Sequence, residues 1–225
     1  MNKYQKKSSD RILLSSAYFP PVEYFVFLAK YKNVLIDNNE TYTKQTWRNR
    51  CSILTGNGVG VLSIPVEKPL GKQTKTSQVK MSRHYPWQKN HVRTIEAAYR
   101  NAPFYIYYKD MILDLIVKPG SDSLAEFNDR ILKVVTNELG LKPEVHYSSQ
   151  FVELSNLYGK DLRFSLSPKK KDRTKMIEVV LNPYYQVFAD RFGFQPNLSI
   201  LDLLFNLGPD TMGYIEQAIE KNPDL

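Results

Sequence analysis

The sequence predicts an α/β fold: a single domain over residues 11–225 with an N-terminal βαβ unit, a β-hairpin and a C-terminal helical hairpin. Three observations predict it. Two β-rich runs, Arg11-Ile12-Leu13-Leu14 and Val34-Leu35-Ile36, bracket a helix-compatible VEYFVFLAK run within about 27 residues, the length of a compact βαβ crossover. Asn57-Gly58 lies between two apolar runs, the strongest short-range hairpin signal. Further on, apolar residues recur at helical spacing, with strand-like pieces between them, so helices and strands alternate.

Taken in order, residues 1–10 form a polar tail. After the first strand, Pro20 and Pro21 forbid a strand or helix interior, and Pro21 suits the first turn of the helix from Val22 to Lys30. The second strand closes at Asp37-Asn38-Asn39. Cys51 to Leu54 and Val59 to Ile64 make the hairpin. Gly56, Gly58 and Gly60 lack the spacing of a phosphate-binding loop, and no helix follows them. Residues 65–76 read as a loop and 77–81 as a short strand. Trp87, His91, Ile95 and Ala98 share one face of a helix over 87–101, which Pro103 ends, and 104–118 form a second helix. Ser123 with Glu126 reads as a capping box opening a helix whose stripe is Leu124, Phe127, Ile131, Val135 and Leu139, stopped by Gly140. Strand-like pieces follow at 144–147, 161–166 and 176–181. Ser199 caps a helix to Leu207, Gly208-Pro209 breaks it, and Asp210 caps the last one.

Composition narrows the function classes. The chain has 225 residues, 42% hydrophobic and 24% charged, the usage of a folded chain. Its apolar runs fall short of the ~20 residues that span a bilayer. The basic start leads into Ile-Leu-Leu and then serines, not the roughly 7–15 apolar residues of a secretory leader. Cys51 is a lone thiol and the three His lack metal-ligand spacing, so no metal site is expected and a cytoplasmic location fits best.

The net charge of +8 is uneven. Residues 66–93 carry seven Lys and Arg against one Glu, residues 168–175 five against one Asp, and 201–225 are acidic. Such a face suits an anionic partner, a nucleotide-sugar or another phosphate ligand, with nucleic acid on the two basic segments as the alternative.

In an open α/β sheet, ligands bind outside the carboxyl ends of the strands. That rule groups Ser15, Ser16 and Tyr18, past the first strand, with Asp37, past the second. Asp37 is either a base or a turn cap. Lys44, Trp47, Arg48, Asn49 and Arg50 pack three cations, an amide and an indole into seven residues, a combination that holds anionic oxygens and stacks on a ring. His91 is the candidate for moving a proton, since His titrates near neutral pH, and its bland alternative is a satisfied core residue. His84 and His146 lack such a setting. Asn206, inside an apolar helix, is expected to hold a neighbouring loop.

Several motifs stand together: Tyr18-Phe19-Pro20 with Tyr24-Phe25; Lys44-x-x-Trp47-x-Asn49-Arg50; Ser63-Ile64-Pro65-Val66; His91 with Tyr99-Arg100-Asn101-Ala102-Pro103-Phe104; Pro183-Tyr184-Tyr185-Gln186; and Pro196-Asn197-Leu198-Ser199-Ile200-Leu201-Asp202 running on to Gly208. Together they resemble the WbqC-like family, bacterial proteins first met in O-antigen gene clusters, from about residue 12 to residue 208. Many members have His-Gln-Pro before the Tyr-Phe-Pro, where this chain has Leu14-Ser15-Ser16. The resemblance implies an intracellular protein linked to surface-polysaccharide assembly, and it adds Gln186 to the binding candidates. It supplies no reaction and no cofactor.

The expectation is therefore an enzyme that transfers an acyl or aminoacyl group onto a nucleotide-linked or lipid-linked sugar. Lys44, Arg48 and Arg50 hold phosphate, Trp47 and Tyr18 stack on the ring, Asp37 orients the acceptor and His91 moves the proton. The competing classes are a nucleic-acid binder and a non-catalytic partner in polysaccharide assembly.

Overall fold

The computed structural model describes residues 11–67, 71, 73–153, 159–168, 179 and 181–225. The N-terminal βαβ unit forms as the proline pattern requires. Strand β1 (Arg11–Leu14) leads through the Pro20-Pro21 turn into helix α1 (Val22–Lys30), which returns to strand β2 (Asn33–Ile36). β1 and β2 pair in parallel, Arg11 with Asn33 through Leu14 with Ile36. Residues Val22 to Leu28 of α1 are all buried, which fits a helix that is apolar there except for Glu23.

Two further strands complete a parallel sheet in the order β5-β2-β1-β6, with β5 at Glu144–Tyr147 and β6 at Lys160–Asp161. β5 lies beside β2 and β6 beside β1 on the opposite side. The strand order therefore reverses at β1, and the switch point of the sheet lies between β1 and β6. The tight hairpin of β3 (Arg50–Thr55) and β4 (Gly58–Ser63) is a separate two-stranded sheet. Its tip is Gly56-Asn57, with Gly58 at φ +94° as the first paired residue.

Helices α2 (Trp87–Tyr99), α3 (Tyr105–Val117) and α4 (Leu124–Glu138) follow. The Ser123 side chain accepts from the Glu126 amide, and the expected α4 stripe is buried. A short helix α5 (Ala189–Phe192), absent from the sequence reading, precedes α6 (Ile200–Leu207) and α7 (Thr211–Lys221). α1 packs on α6 and α7, and α2 lies between α3 and the hairpin.

Four local expectations are corrected. Residues 77–81 are not a strand: a 3-10 turn at Thr76–Gln78 is followed by single bridges from Lys80 to Ser123 and Met81 to Val66. The piece at 161–166 is strand only through Asp161, because the Asp161 carboxylate accepts the Arg163 amide at 3.0 Å and turns the chain. Asp210 makes no side-chain cap, since α7 continues from a 3-10 turn at Gly208–Asp210. Asn206 donates to the Asp202 carbonyl in its own helix, not to a loop. The polar tail 1–10, most of the basic segment 168–175 and most of the strand-like piece 176–181 lie outside the described residues.

Candidate functional site

The predicted site residues fall into three buried centres and a surface remainder. The first is built on His91. Its ring lies within the apolar side of α2, edge-on to Trp87 at 5.2 Å and tilted against Tyr18 at 5.7 Å. Nε2 is 3.3 Å from the Ser63 carbonyl, an acceptor only, so Nε2 carries the hydrogen and Nδ1 accepts from the Tyr18 hydroxyl at 2.9 Å. Burial lowers the His91 pKa from 6.5 to about 4, opposed by the bond to the Ser63 carbonyl, and burial also pushes the Tyr18 hydroxyl well up. Both are thus neutral at physiological pH, and His91 joins the Tyr-Phe-Pro loop, α2 and the hairpin.

This centre makes the fold acid-sensitive. A His whose folded pKa lies below its unfolded value binds more protons unfolded, so stability is intact above about 6.5 and falls as pH drops towards about 4, by up to about 3 kcal/mol. The urea midpoint of the wild type should fall more steeply from pH 7 to about 4.5 than that of His91→Gln, which keeps amide partners for Tyr18 and Ser63. Parallel profiles would contradict the assignment.

The second centre is Asp202, on α6. Its carboxylate accepts from Tyr99 at 2.9 Å, Tyr184 at 2.6 Å and Gln186 at 2.8 Å. Burial raises the Asp202 pKa, and the three donors work against that rise. Gln186 also spans the amide and carbonyl of Gln195 at 2.9 Å each. Its side chain is thus committed to tying the 184–195 segment to α6.

The third centre lies on the carboxyl rim of the parallel sheet, as the strand-end rule predicts. Past β2, buried Asp37 accepts from Arg163 Nη1 at 2.6 Å, Ser148 Oγ at 2.7 Å and the Asn39 amide at 2.9 Å. It is a turn cap and an ion-pair partner at once. Arg163, past β6, also meets Asp161 at 2.7 Å, and although burial works against its charge, the two carboxylates push its pKa up. Beside it Arg48 grips Glu40 in two places, Nε to Oε1 at 2.8 Å and Nη2 to Oε2 at 2.6 Å. Ser15, just past β1, accepts from Arg48 Nη2 at 2.8 Å and donates to Glu40 Oε2 at 3.2 Å. Burial raises the Glu40 pKa, with Arg48 and Ser15 opposing.

Ser15, Ser16, Trp47, Arg48, Leu162 and Arg163 line a small cavity at the switch point between β1 and β6. Its volume of about 10 Å³ is that of one water-sized group. Trp47 is buried against it, and its indole N–H has no hydrogen-bond partner among the described residues. Outside, Phe151 and Phe164 place half-exposed rings 5.1 and 5.6 Å from the Arg163 guanidinium.

The cation cluster does not stay together. Arg48 and Trp47 turn inward, Lys44 is exposed, and Arg50 donates to Ser63 Oγ on the hairpin at 3.1 Å. Asn49 is buried and donates to the Ile64 carbonyl at 2.9 Å. Asp37 and Arg48 share the rim, whereas His91, Tyr18 and Gln186 belong to the other two centres. Of the four residues expected to share a hollow, Arg50 and His91 both meet Ser63, Asp37 belongs to the rim, and Lys44 is exposed. Buried Cys51 is held as a thiol, its pKa pushed up by burial. No group of three or more potential metal ligands occurs among the described residues.

Glu40, Asp161 and Arg163 were missed by the sequence reading, and Ser15 was placed on the rim without a role. Recognising Lys160-Asp161 as a parallel strand end exposes the signal: the strand-end rule that grouped Ser15 with Asp37 then adds Arg163.

The motif stretches themselves meet in space. Ser199 Oγ donates to the Phe19 carbonyl at 2.9 Å, the Val22 amide to Leu198 at 2.9 Å, and the Ile64 amide to Asn49 at 2.8 Å. Phe19 is held at φ +37°, a strained conformation for a bulky residue, by these neighbours.

Comparisons with known proteins agree with these motifs. The model of the WbqC-like protein family matches residues 15–174. A curated protein of Mycobacterium tuberculosis (strain ATCC 25618 / H37Rv), uncharacterized protein Rv1507c, is 26% identical over 233 residues, covering 91% of this chain and 98% of its own. No solved structure matches.

Proposed function

The chain belongs to the WbqC-like protein family, and on that premise we propose that it is an enzyme of surface-polysaccharide or nucleotide-sugar modification, transferring an acyl or aminoacyl group at the carboxyl rim of its sheet. One observation carries the reading. Ser15 Oγ stands between Glu40, a buried carboxylate at 3.2 Å, and Arg48 Nη2 at 2.8 Å, at the topological switch point. A hydroxyl, a base within hydrogen-bond reach and a cation for developing negative charge are the parts of a nucleophilic site.

In this reading Ser15 Oγ attacks the donor's carbonyl carbon while its proton passes to Glu40. The bond to the donor's leaving group breaks, and the leaving group takes that proton. The amine or hydroxyl of the sugar acceptor then attacks the Ser15 ester, its proton returning through Glu40 to Ser15 Oγ. The raised Glu40 pKa makes it the stronger base. The cavity lined by Ser15, Trp47 and Arg48 holds a group the size of a carbonyl oxygen, while the sugar and phosphate remain outside. His91 and Asp37 take no chemical part here; they hold the loops that present Ser15.

Calorimetric titration with UDP-, GDP- and dTDP-sugars tests binding, and intact-mass spectrometry after incubation with acyl thioester donors tests the ester. Wild type should bind at least one sugar and gain the acyl mass, and Ser15→Ala should lose the mass gain with stability changed by no more than about 1–2 kcal/mol. Absence of both binding and adduct in the folded wild type would end this reading.

A further inference from the structure

Helix α3, YIYYKDMILDLIV, is largely apolar, yet it buries only Ile112, Leu115 and Ile116. On its outer side Ile106, Asp110, Leu113 and Val117 succeed one another at helical spacing, with Tyr107 beside them. Ile106 is 68% exposed, Tyr107 75% and Val117 55%. Alongside runs an open groove of about 680 Å³ between α3 and α4, lined by Met111, Leu113 and Val134, with Asp110, Asp114 and Arg130 as its polar residues. Apolar side chains massed on one helix with an apolar groove beside them mark an interaction surface.

We propose that this face is the interface of a homodimer, formed by two copies of α3 packed antiparallel about a twofold axis. The face is self-complementary in shape: its most exposed apolar pair, Ile106 and Tyr107, is at the amino end of α3, and its groove lies along the carboxyl half. A twofold axis near Ile112 seats each pair in the other copy's groove, so that residue i meets j and j meets i. It is self-complementary in charge as well. Lys109, beside the apolar pair and in no salt bridge among the described residues, is brought to Asp114 of the second copy, which within its own chain pairs with Lys118.

Sedimentation velocity of the full chain up to about 100 μM, above the weak end of protein interfaces, should show a species of twice the chain mass. Ile106→Glu and Val117→Glu replace exposed side chains, leave the circular dichroism spectrum unchanged, and should each shift the chain to monomer. Val61→Glu, at an exposed apolar position on the hairpin, should leave the dimer intact. Lys109→Glu or Asp114→Lys alone should weaken association about tenfold, and the two together should restore it. A monomer at every concentration, a dimer indifferent to Ile106→Glu and Val117→Glu, or a charge swap without restoration would each overturn the antiparallel α3 dimer.

Discussion

Asp37→Ala is expected to lower stability by about 3–5 kcal/mol, the range for removing one partner of a buried ion pair. The Asp37 and Arg163 side chains are both essentially inaccessible to solvent, and their contact is 2.6 Å. Without Asp37 the guanidinium loses one of its two carboxylates among the described residues, while Ser148 Oγ and the amides of Asn39 and Val152 lose the carboxylate they donate to. Asp37→Asn keeps the size and an acceptor oxygen but loses the charge, so it should fall between wild type and alanine. Removing both charges with Asp37→Asn and Arg163→Met should hurt less than the two single changes added together, since no uncompensated guanidinium is left at Arg163. Urea midpoints of the wild type and the four variants provide the measurement. A loss under about 1 kcal/mol for Asp37→Ala would mean that the pair does not hold the rim together.

Gly208→Ala should be comparably severe, about 3 kcal/mol or more. Gly208 ends α6 at φ +55° and ψ −122°, outside the wells open to a residue with a Cβ. A methyl there would stand 2.4 Å from two ring carbons of Phe104 and 2.8 Å from a third. Backbone strain and overpacking therefore add, and neither relaxes easily because the Phe104 amide donates to the Phe205 carbonyl at 2.9 Å. Combining Gly208→Ala with Phe104→Leu should recover part of the loss by removing the overlap and leaving the strain. A Gly208→Ala protein with an unchanged denaturation midpoint would show that the break after α6 is looser than described.

How much was legible depended on whether a feature was local. Pro20-Pro21, Ser123 with Glu126 and Gly140 are punctuation whose meaning is carried by a few neighbouring bonds, and the helices they bound lie where the spacing put them. Strand β6 was readable only in part, as a strand-like piece expected at 161–166. Two residues have no periodicity, and only the row of hydrogen bonds waiting on β1 makes Lys160-Asp161 a strand. The same limit governed the site. Trp47 and Arg48 stand beside Lys44 and Arg50 in sequence, so the cluster looked like one anion cradle. Glu40 draws the Arg48 guanidinium inward, and the shared cradle disappears.

From the order of residues alone came the α/β class, the βαβ unit, the hairpin, the family motifs and the rule that Ser15 and Asp37 share a rim. These rest on backbone preference and apolar spacing, which act over a few residues. Tertiary structure decided which buried polar groups meet: Asp37 with Arg163 across 126 positions, Tyr18 with His91 across 73, and Tyr99 with Asp202 across 103. A buried charge or imidazole takes whatever partner the packed chain brings within hydrogen-bond reach, and that distance is set by the fold and not by neighbours in sequence.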